Sequence, residues 1–183
     1  VQTCALPILT ISSIHPTITF NGITKNYKDV NFDLNPQSNS NGAFTFKTVD
    51  ASDNEITSDV ATISGREVTV KDAGNVTIRA TQAATRNFKS ASENATLTVS
   101  RIDPTFGVFN AIVKTFNTDT SFNIVDPTST STGSFSFFIN DDSVRGTIAT
   151  LENTVRTVKI VKAGGPVTVV ARQDATRNYK LGT

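Results

Sequence analysis

The sequence matches itself at an offset of about 90 residues, and this internal repeat limits the possible folds more than any other feature. Residues 80–88 read ATQAATRNF and residues 171–179 read ARQDATRNY, which is an offset of 91. The same offset aligns GAFTF at residues 42–46 with GSFSF at residues 133–137. A repeat of this length indicates two small domains of one kind rather than a single large domain.

The alignment also sets the expected limits of the repeats. Residues 9–17 (LTISSIHPT) match residues 97–105 (LTVSRIDPT) at an offset of 88. We therefore expect residues 9–14 to be the last strand of a preceding repeat, residues 15–102 a complete repeat, and residues 103–183 a second repeat without its last strand. On this interpretation the chain is a fragment of a longer tandem array, in which neighbouring repeats are partners of each other.

Residues 1–8 (VQTCALPI) do not fit the repeat. They resemble the translation of a sequencing-library adapter at every codon, so we interpret them as a non-native artefact of metagenomic sequencing. The alternative is a signal-peptide remnant with Cys4 as a lipidation site, which would need a charged region and an apolar run before it. Cys4 is the single cysteine, so the native part is expected to hold no disulfide, thiolate ligand or cysteine nucleophile.

Within a repeat, apolar and polar residues alternate, which is the period of half-buried strands. Thr (29), Ser (16) and Asn (16) make up one third of the 183 residues, and the many β-branched residues favour strands over helices. Turn sequences such as Asn21-Gly22 and Asn41-Gly42 separate the alternating runs. About seven strands per repeat follow, which predicts an all-β fold of tandem immunoglobulin-like β-sandwiches.

The alternation also predicts which residues form strands and cores. The expected strands of the first repeat are residues 17–20, 32–34, 44–46, 60–63, 68–70, 76–80 and 95–99. The expected core residues are Phe32, Phe44, Phe46, Val68, Ile78 and Leu97 in the first repeat, and Phe122, Phe135, Phe137, Val161 and Val169 in the second.

A family resemblance rests mainly on residues 60–88, VATISGREVTVKDAGNVTIRATQAATRNF. With PTITFNGITKNY before this motif and ATLTVSRIDP after it, the first repeat resembles the tandem bacterial immunoglobulin-like (Big/MBG-type) repeats of large surface adhesin-like proteins. The second repeat departs from the pattern at residues 146–157, where TIATLENTV replaces VATISG. The resemblance implies a β-sandwich fold and an extracellular place, at the cell surface or secreted, and it implies no catalytic residues.

Acidic loops are the best candidates for a metal site. Asp50, Asp53 and Glu55 fall in one loop after the GAFTF strand, and Asp141 and Asp142 fall in the matching loop of the second repeat. Calcium takes about six to eight oxygen ligands, and a loop with three carboxylates could supply some of them. Because the EF-hand spacing is absent, we expect no cofactor, with calcium at these five residues as the weaker alternative.

No other motif points to catalysis. His15 is the only histidine, and it lies between repeats where the second repeat has Asp103, so we interpret it as an exposed linker residue instead of a catalytic base. The nucleophile elbow, the phosphate-binding loop and HExxH are all missing, which argues against an enzyme. In the repeated ATRNF/ATRNY block, we expect Phe88 and Tyr179 to close one end of each sandwich instead of binding a ligand.

The net charge and the hydropathy argue against two further classes of protein. A net charge of +1 argues against nucleic-acid binding, and no apolar run reaches the ~20 residues of a membrane span. The remaining interpretation is a structural or adhesive module that acts as a stalk or spacer, with a surface glycan or a protein as a possible ligand. The alternative is a phage virion or carbohydrate-binding module, which usually presents Trp or Tyr platforms, whereas this chain has no Trp and 2 Tyr.

Overall fold

Short β-strands make up all the regular structure of the chain in the computed structural model, which describes residues 10–141, 145–151 and 156–183. Two units are formed, Val1–Ser100 (unit 1) and Arg101–Thr183 (unit 2). In the described ranges we find no helix that could cross a membrane. Residues 1–8, interpreted above as adapter sequence, and Asp142 lie outside these ranges.

Unit 1 is a sandwich of two sheets. Its strands are β1 (Ile18–Thr19), β2 (Ile23–Asn26), β3 (Phe32–Asp33), β4 (Gln37–Ser38), β5 (Phe44–Val49), β6 (Ala61–Ser64), β7 (Glu67–Val70), β8 (Gly74–Gln82) and β9 (Ala91–Ser100). One sheet has the order β2-β9-β8-β5 and the other β3-β7-β6, while β1 pairs with β4. Strand β9 is central, because it pairs antiparallel with β8 and parallel with β2. This pairing is that of an immunoglobulin-like sandwich, so the predicted fold class is confirmed.

The core of unit 1 lies between the two sheets, where the period-two pattern places it. Val76, Ile78 and Ala80 of β8 are buried, and the residues between them are more exposed. Strand β9 contributes its alternate residues in the same way. The buried set is Phe20, Leu34, Val60, Ala61, Val68, Ala73, Val76, Ile78, Ala80, Ala95, Leu97 and Val99.

Unit 2 repeats part of this arrangement. Its strands are β10 (Ser121–Asn123), β11 (Phe135–Ile139), β12 (Ala149–Leu151), β13 (Thr157–Ile160) and β14 (Val169–Gln173). One sheet has the order β10-β13-β12, which corresponds to β3-β7-β6, and the other is β11-β14, which corresponds to β5-β8. Among the described residues of unit 2, no strand corresponds to β2 or to β9.

The structure differs from the sequence-based expectations in its strands. Strands β2 and β4 were not predicted, because β2 has only Ile23 as an apolar residue and β4 has none. Residues 10–13, part of the predicted strand at residues 9–14, form no strand, and Ile14 makes a single parallel bridge with Phe88. Residue 9 lies outside the described ranges.

Two predictions about the core need correction. Val161 was expected inside unit 2, but it is 44% exposed because it follows the end of β13, where Val158 is the inward residue. In unit 1, Phe32, Phe44 and Phe46 are half-buried and pack at the margin of the core, while Leu34 and Val68 lie at its centre. The centre of the core is therefore aliphatic.

This difference in burial predicts unequal effects for two corresponding phenylalanines. Phe46→Ala should lower the stability of unit 1 by only about 2 kcal/mol, less than the 3–5 kcal/mol typical of a fully buried Phe. Phe137→Ala should cost unit 2 the full amount, because Phe137 is 3% exposed. Urea unfolding followed by amide NMR signals of each unit measures both values. Equal losses in the two units would contradict the assigned burial.

Candidate functional site

A buried glutamine that was not predicted from the sequence holds one loop of each unit. In unit 1, Gln82 is 1% exposed, and its side-chain Nε2 donates hydrogen bonds to the carbonyl oxygens of Ser40 (3.0 Å) and Gly42 (2.9 Å). The Oγ of Ser38 donates to Oε1 of Gln82 at 2.7 Å. Both Nε2 protons are thus used, and the amide is satisfied inside the protein as a buried polar group must be.

The same network recurs in unit 2 at an offset of 91 residues. Gln173 is 1% exposed, and its Nε2 donates to the carbonyl oxygens of Ser131 (3.1 Å) and Gly133 (2.8 Å). Ser129 Oγ donates to its Oε1 at 2.6 Å. The signal in the sequence was the repeated spacing Ser-x-Ser-x-Gly before a Gln about 40 residues later, which could have identified this network.

The glycines of this loop are required by close packing. A Cβ atom at Gly42 would lie 2.1 Å from the backbone oxygen of Ala83, and one at Gly133 would lie 2.1 Å from that of Asp174. No side chain fits at such a distance from a backbone atom. The loop, the glutamine and the strand end therefore form one internal structural element in each unit.

The repeated ATRNF/ATRNY block is also an internal structural element. In unit 1 the Thr85 N–H donates to the carbonyl oxygen of Phe88 (2.8 Å), while the Thr85 Oγ1 accepts from the Phe88 N–H (3.2 Å). Thr176 and Tyr179 make the same two bonds in unit 2, at 3.0 and 3.2 Å. Tyr179 is buried at 6% exposure and Phe88 is half-buried.

This block binds the residue that leads into each unit. The N–H of Ile14 donates to the carbonyl oxygen of Asn87 (3.1 Å), and the N–H of Lys89 donates to that of Ile14 (2.7 Å). In unit 2 Ile102 makes the equivalent bonds with Asn178 (3.2 Å) and Lys180 (2.9 Å). In both units the backbone carbonyl of this Asn therefore anchors the entering chain.

The predicted acidic site in unit 1 is a loop in which the carboxylates bond to the protein. Asp50 Oδ1 accepts hydrogen bonds from the N–H groups of Ser52 (2.8 Å) and Asn54 (2.9 Å), and Oδ2 accepts one from Asn54 Nδ2 (3.2 Å). The backbone bond from Asn54 is the largest of the causes that hold the pKa of Asp50 below its ordinary value. Asp50 thus closes its own loop as an Asx turn.

The other two carboxylates of this loop have separate partners. Asp53 pairs with Arg79 (2.8 Å) and accepts from Asn94 Nδ2 (2.7 Å). Glu55 pairs with Lys47 on the surface. These exposed ion pairs contribute little to stability.

In unit 2, Asp141 is exposed and its backbone carbonyl accepts from the Arg145 N–H (3.0 Å). Within the described ranges, no three His, Cys, Asp or Glu side chains gather in a way that could hold a metal. Calcium binding by Asp50, Asp53, Glu55, Asp141 and Asp142 stays a prediction.

A cation over an aromatic ring recurs at two places in both units. Arg66 lies 5.8 Å from the Phe46 ring centre, and Arg156 lies 5.8 Å from that of Phe137. Lys25 and Lys114 lie over Phe32 and Phe122, at 4.6 and 5.6 Å. Of the rings in these pairs, Phe32, Phe46 and Phe122 are half-buried and Phe137 is buried.

Unit 2 contains an apolar cleft of about 660 Å³ between its sheets. One side is formed by Phe122, Ile124 and Val158, and the other by Val167 and Val169. A stretch of chain at residues 109–116 forms the rim. The walls of this cleft are those of a sandwich interior.

His15, which the sequence predicts to be an exposed linker residue, is not part of this cleft. His15 is exposed and lies in unit 1, just before β1. Asp119 pairs with Lys114, which lines the cleft, and the pKa of Asp119 is lowered first by the N–H of Thr115 and then by Lys114. A catalytic site needs a nucleophile or a base with an orienting partner, and the cleft is lined mainly by aliphatic residues and phenylalanines.

Comparisons with known proteins add little to this description. No family model matches the chain, and no curated protein matches it. Among solved structures it is similar to human protocadherin-24 EC1-2, at 11% identity and a TM-score of 0.37, with 94% of each chain covered. It is also similar to a SusE-like surface-located polysaccharide-binding protein from the Bacteroides thetaiotaomicron heparin utilisation locus, at 14% identity and a TM-score of 0.32, with 91% of this chain and 32% of that chain covered.

Proposed function

We propose that the chain is a non-catalytic spacer segment of an extracellular protein, built from immunoglobulin-like units of the bacterial surface-repeat kind. One observation carries this proposal: the buried polar side chain that recurs in both units, Gln82 and Gln173, bonds to the interior of its own unit. Each glutamine holds a loop, and the backbone of the ATRNF/ATRNY block holds the entering chain. A binding module is instead expected to repeat residues that point outward into a shared site.

The composition supports the same proposal. The net charge of +1 offers no electrostatic attraction to a charged polymer, and Thr, Ser and Asn keep the surface soluble. The ion pairs of the acidic loop, such as Lys47 with Glu55, are local surface contacts. A spacer requires units that fold stably by themselves, and each unit has its own core.

The proposal is tested by measuring length against unit number. We expect proteins of two, three and four copies of residues 15–102 to show a maximum dimension in small-angle scattering that rises by roughly 35–40 Å per copy. The longest strands, β8 with 9 residues and β9 with 10, each span roughly 30 Å, and the loops add the rest. A variant of these proteins with Pro16 of every copy replaced by Gly is the control for the joint. A maximum dimension that stays nearly constant as copies are added would reject a spacer role.

A further inference from the structure

The dipeptide Asn-Gly occurs twice in the sequence, and unit 1 holds the two copies in different ways. Asn21-Gly22 lies just before β2, and Asn41-Gly42 lies in the loop that Gln82 holds. An Asn followed by Gly is prone to deamidation, because the backbone nitrogen of a residue without a Cβ atom reaches the Asn side chain easily. The two copies therefore place the same chemistry in two settings.

Deamidation is a ring closure followed by hydrolysis, and water is its only co-reactant. The backbone nitrogen of the Gly loses its proton to solvent and forms a bond to Cγ of the Asn. The bond from Cγ to Nδ2 breaks, and that nitrogen leaves as ammonia. Water then opens the resulting succinimide ring to aspartate, or to isoaspartate with one more carbon atom in the main chain. The Gly nitrogen must therefore be free of other bonds, and the backbone around it must be able to rotate.

Asn21-Gly22 meets both conditions. The two residues are exposed, and among the described residues neither the Asn21 side chain nor the Gly22 N–H has a hydrogen-bond partner. Tyr27 donates its N–H to Ser100, so the odd-numbered residues at β2 face β9 and Gly22 faces away from it. The nearest atom to a Cβ at Gly22 would be the Thr96 carbonyl oxygen, at 3.5 Å, which leaves room for movement.

Asn41-Gly42 fails both conditions, although Asn41 is exposed. The Gly42 N–H donates to Ser40 Oγ (3.3 Å), and the Gly42 carbonyl oxygen accepts from Gln82 Nε2 (2.9 Å). A Cβ at Gly42 would lie 2.1 Å from the carbonyl oxygen of Ala83, so the backbone is packed closely on this side. Rotation of Gly42 toward the Asn side chain would break these contacts. The loop must open locally before the ring can close.

We propose that Asn21 is a site of spontaneous deamidation and that the Gln82 network protects Asn41 from the same reaction. The product at position 21 lies between two anchored residues, because Phe20 is 8% exposed in the core and Ile23 pairs with Leu97 in the sheet. An isoaspartate lengthens the main chain between these anchors and adds a negative charge. Unit 1 therefore loses stability as the protein ages.

Unit 2 is not expected to change at the corresponding position. There the sequence is Asn110-Ala111, and the methyl group of Ala hinders the approach of the backbone nitrogen. Gly22→Ala transfers this feature to unit 1 and is the matched control. Its methyl group fits, since the nearest atom would be 3.5 Å away.

The test incubates the whole chain at mildly alkaline pH and follows each Asn by peptide mapping and mass spectrometry. We expect Asn21 to convert at least about tenfold faster than Asn41, and Gly22→Ala to abolish most of the conversion at position 21. Gln82→Ala should raise the rate at Asn41 by about tenfold and leave that at Asn21 unchanged. Ser40→Ala, which removes only the hydroxyl that accepts the Gly42 N–H, should raise it by a smaller factor and decides if Gln82→Ala does not fold.

Short peptides separate the effect of structure from that of local sequence. TFNGITK and NSNGAFT contain the two pairs without the fold, and we expect them to convert at similar rates. A difference between the peptides as large as that in the chain would overturn the protective role of the network. Slower conversion of Asn21 than of Asn41 in the folded chain would overturn the proposed site. In the aged chain, the melting temperature of unit 1, read through the Tyr27 ring, should fall, and that of aged Gly22→Ala should not.

Discussion

Unit 2 should become markedly more stable when a strand is supplied to it within the same chain. We expect the addition of ENATLTVS, the sequence of residues 93–100, directly after Thr183 to raise the melting temperature of unit 2 by roughly 10 °C or more. The added Leu and Val would each bury an aliphatic side chain worth about 1.5–3 kcal/mol, offset partly by the ordering of the strand. Without the addition, unit 2 should unfold before unit 1.

The chain offers a separate reporter for each unit. Its two tyrosines are Tyr27 in unit 1 and Tyr179 in unit 2, so their ring signals in NMR follow the two transitions independently. The matched control is the same extension with Ser in place of its Ala, Leu and Val, which adds chain length without aliphatic burial. Equal melting of both units before any addition would count against the expectation that unit 2 lacks a strand equivalent to β9. The same stabilisation by both extensions would also count against it.

Replacing the buried glutamine should be as damaging to unit 1 as truncating a large residue of its core. Gln82→Ala removes the amide that donates to Ser40 and Gly42 and accepts from Ser38. Each buried polar group left without a partner costs about 1–3 kcal/mol, so we expect a total loss near 3–5 kcal/mol once the cavity is included. Urea unfolding read through the Tyr27 ring measures it. Gln173→Ala should do the same to unit 2 and leave unit 1 unchanged.

Replacing Gln82 with Glu, a charged side chain of nearly the same shape, separates the contribution of hydrogen bonding to stability from that of packing. Gln82→Glu keeps the shape of the side chain but places a carboxylate against two carbonyl oxygens, and burial raises the pKa of the introduced group. A raised folded-state pKa means that the variant is less destabilised at low pH and loses stability as the pH rises through that pKa. We expect its deficit relative to the unchanged chain to be smaller at pH 4 than at pH 7. A deficit independent of pH would contradict the burial of this side chain against the two carbonyl oxygens.

The fold class could be predicted from the sequence because apolar and polar residues alternate clearly in strands that bury only one face. Strand β8 alternates over its whole length, and its inward residues Val76, Ile78 and Ala80 are buried as the pattern predicts. Strand β2 could not be found in this way. Its sequence ITKN has a single apolar residue, and it becomes a strand because β9 lies beside it.

Unit 2 shows the same dependence of β2 on its neighbour β9. Ile112 and Lys114 correspond to Ile23 and Lys25 of β2, yet they belong to no strand, and Ile112 is 47% exposed.

The buried glutamine was missed for a different reason. Gln82 is polar and stands at the inward end of an apolar series, so its role depends on loop carbonyls from residues about 40 positions away, which no local pattern reports.

The parallel pairing of β2 with β9 gives unit 1 a defined response to tension. Ile23–Asn26 lies near the start of the unit and pairs in parallel with Leu97, Thr98, Val99 and Ser100 at its end. A pull on the two ends of the unit would therefore slide these strands past each other along their length. Sliding loads all of their hydrogen bonds at once, whereas peeling breaks them one by one, so the parallel pair places the strongest resistance to force where the load enters the domain.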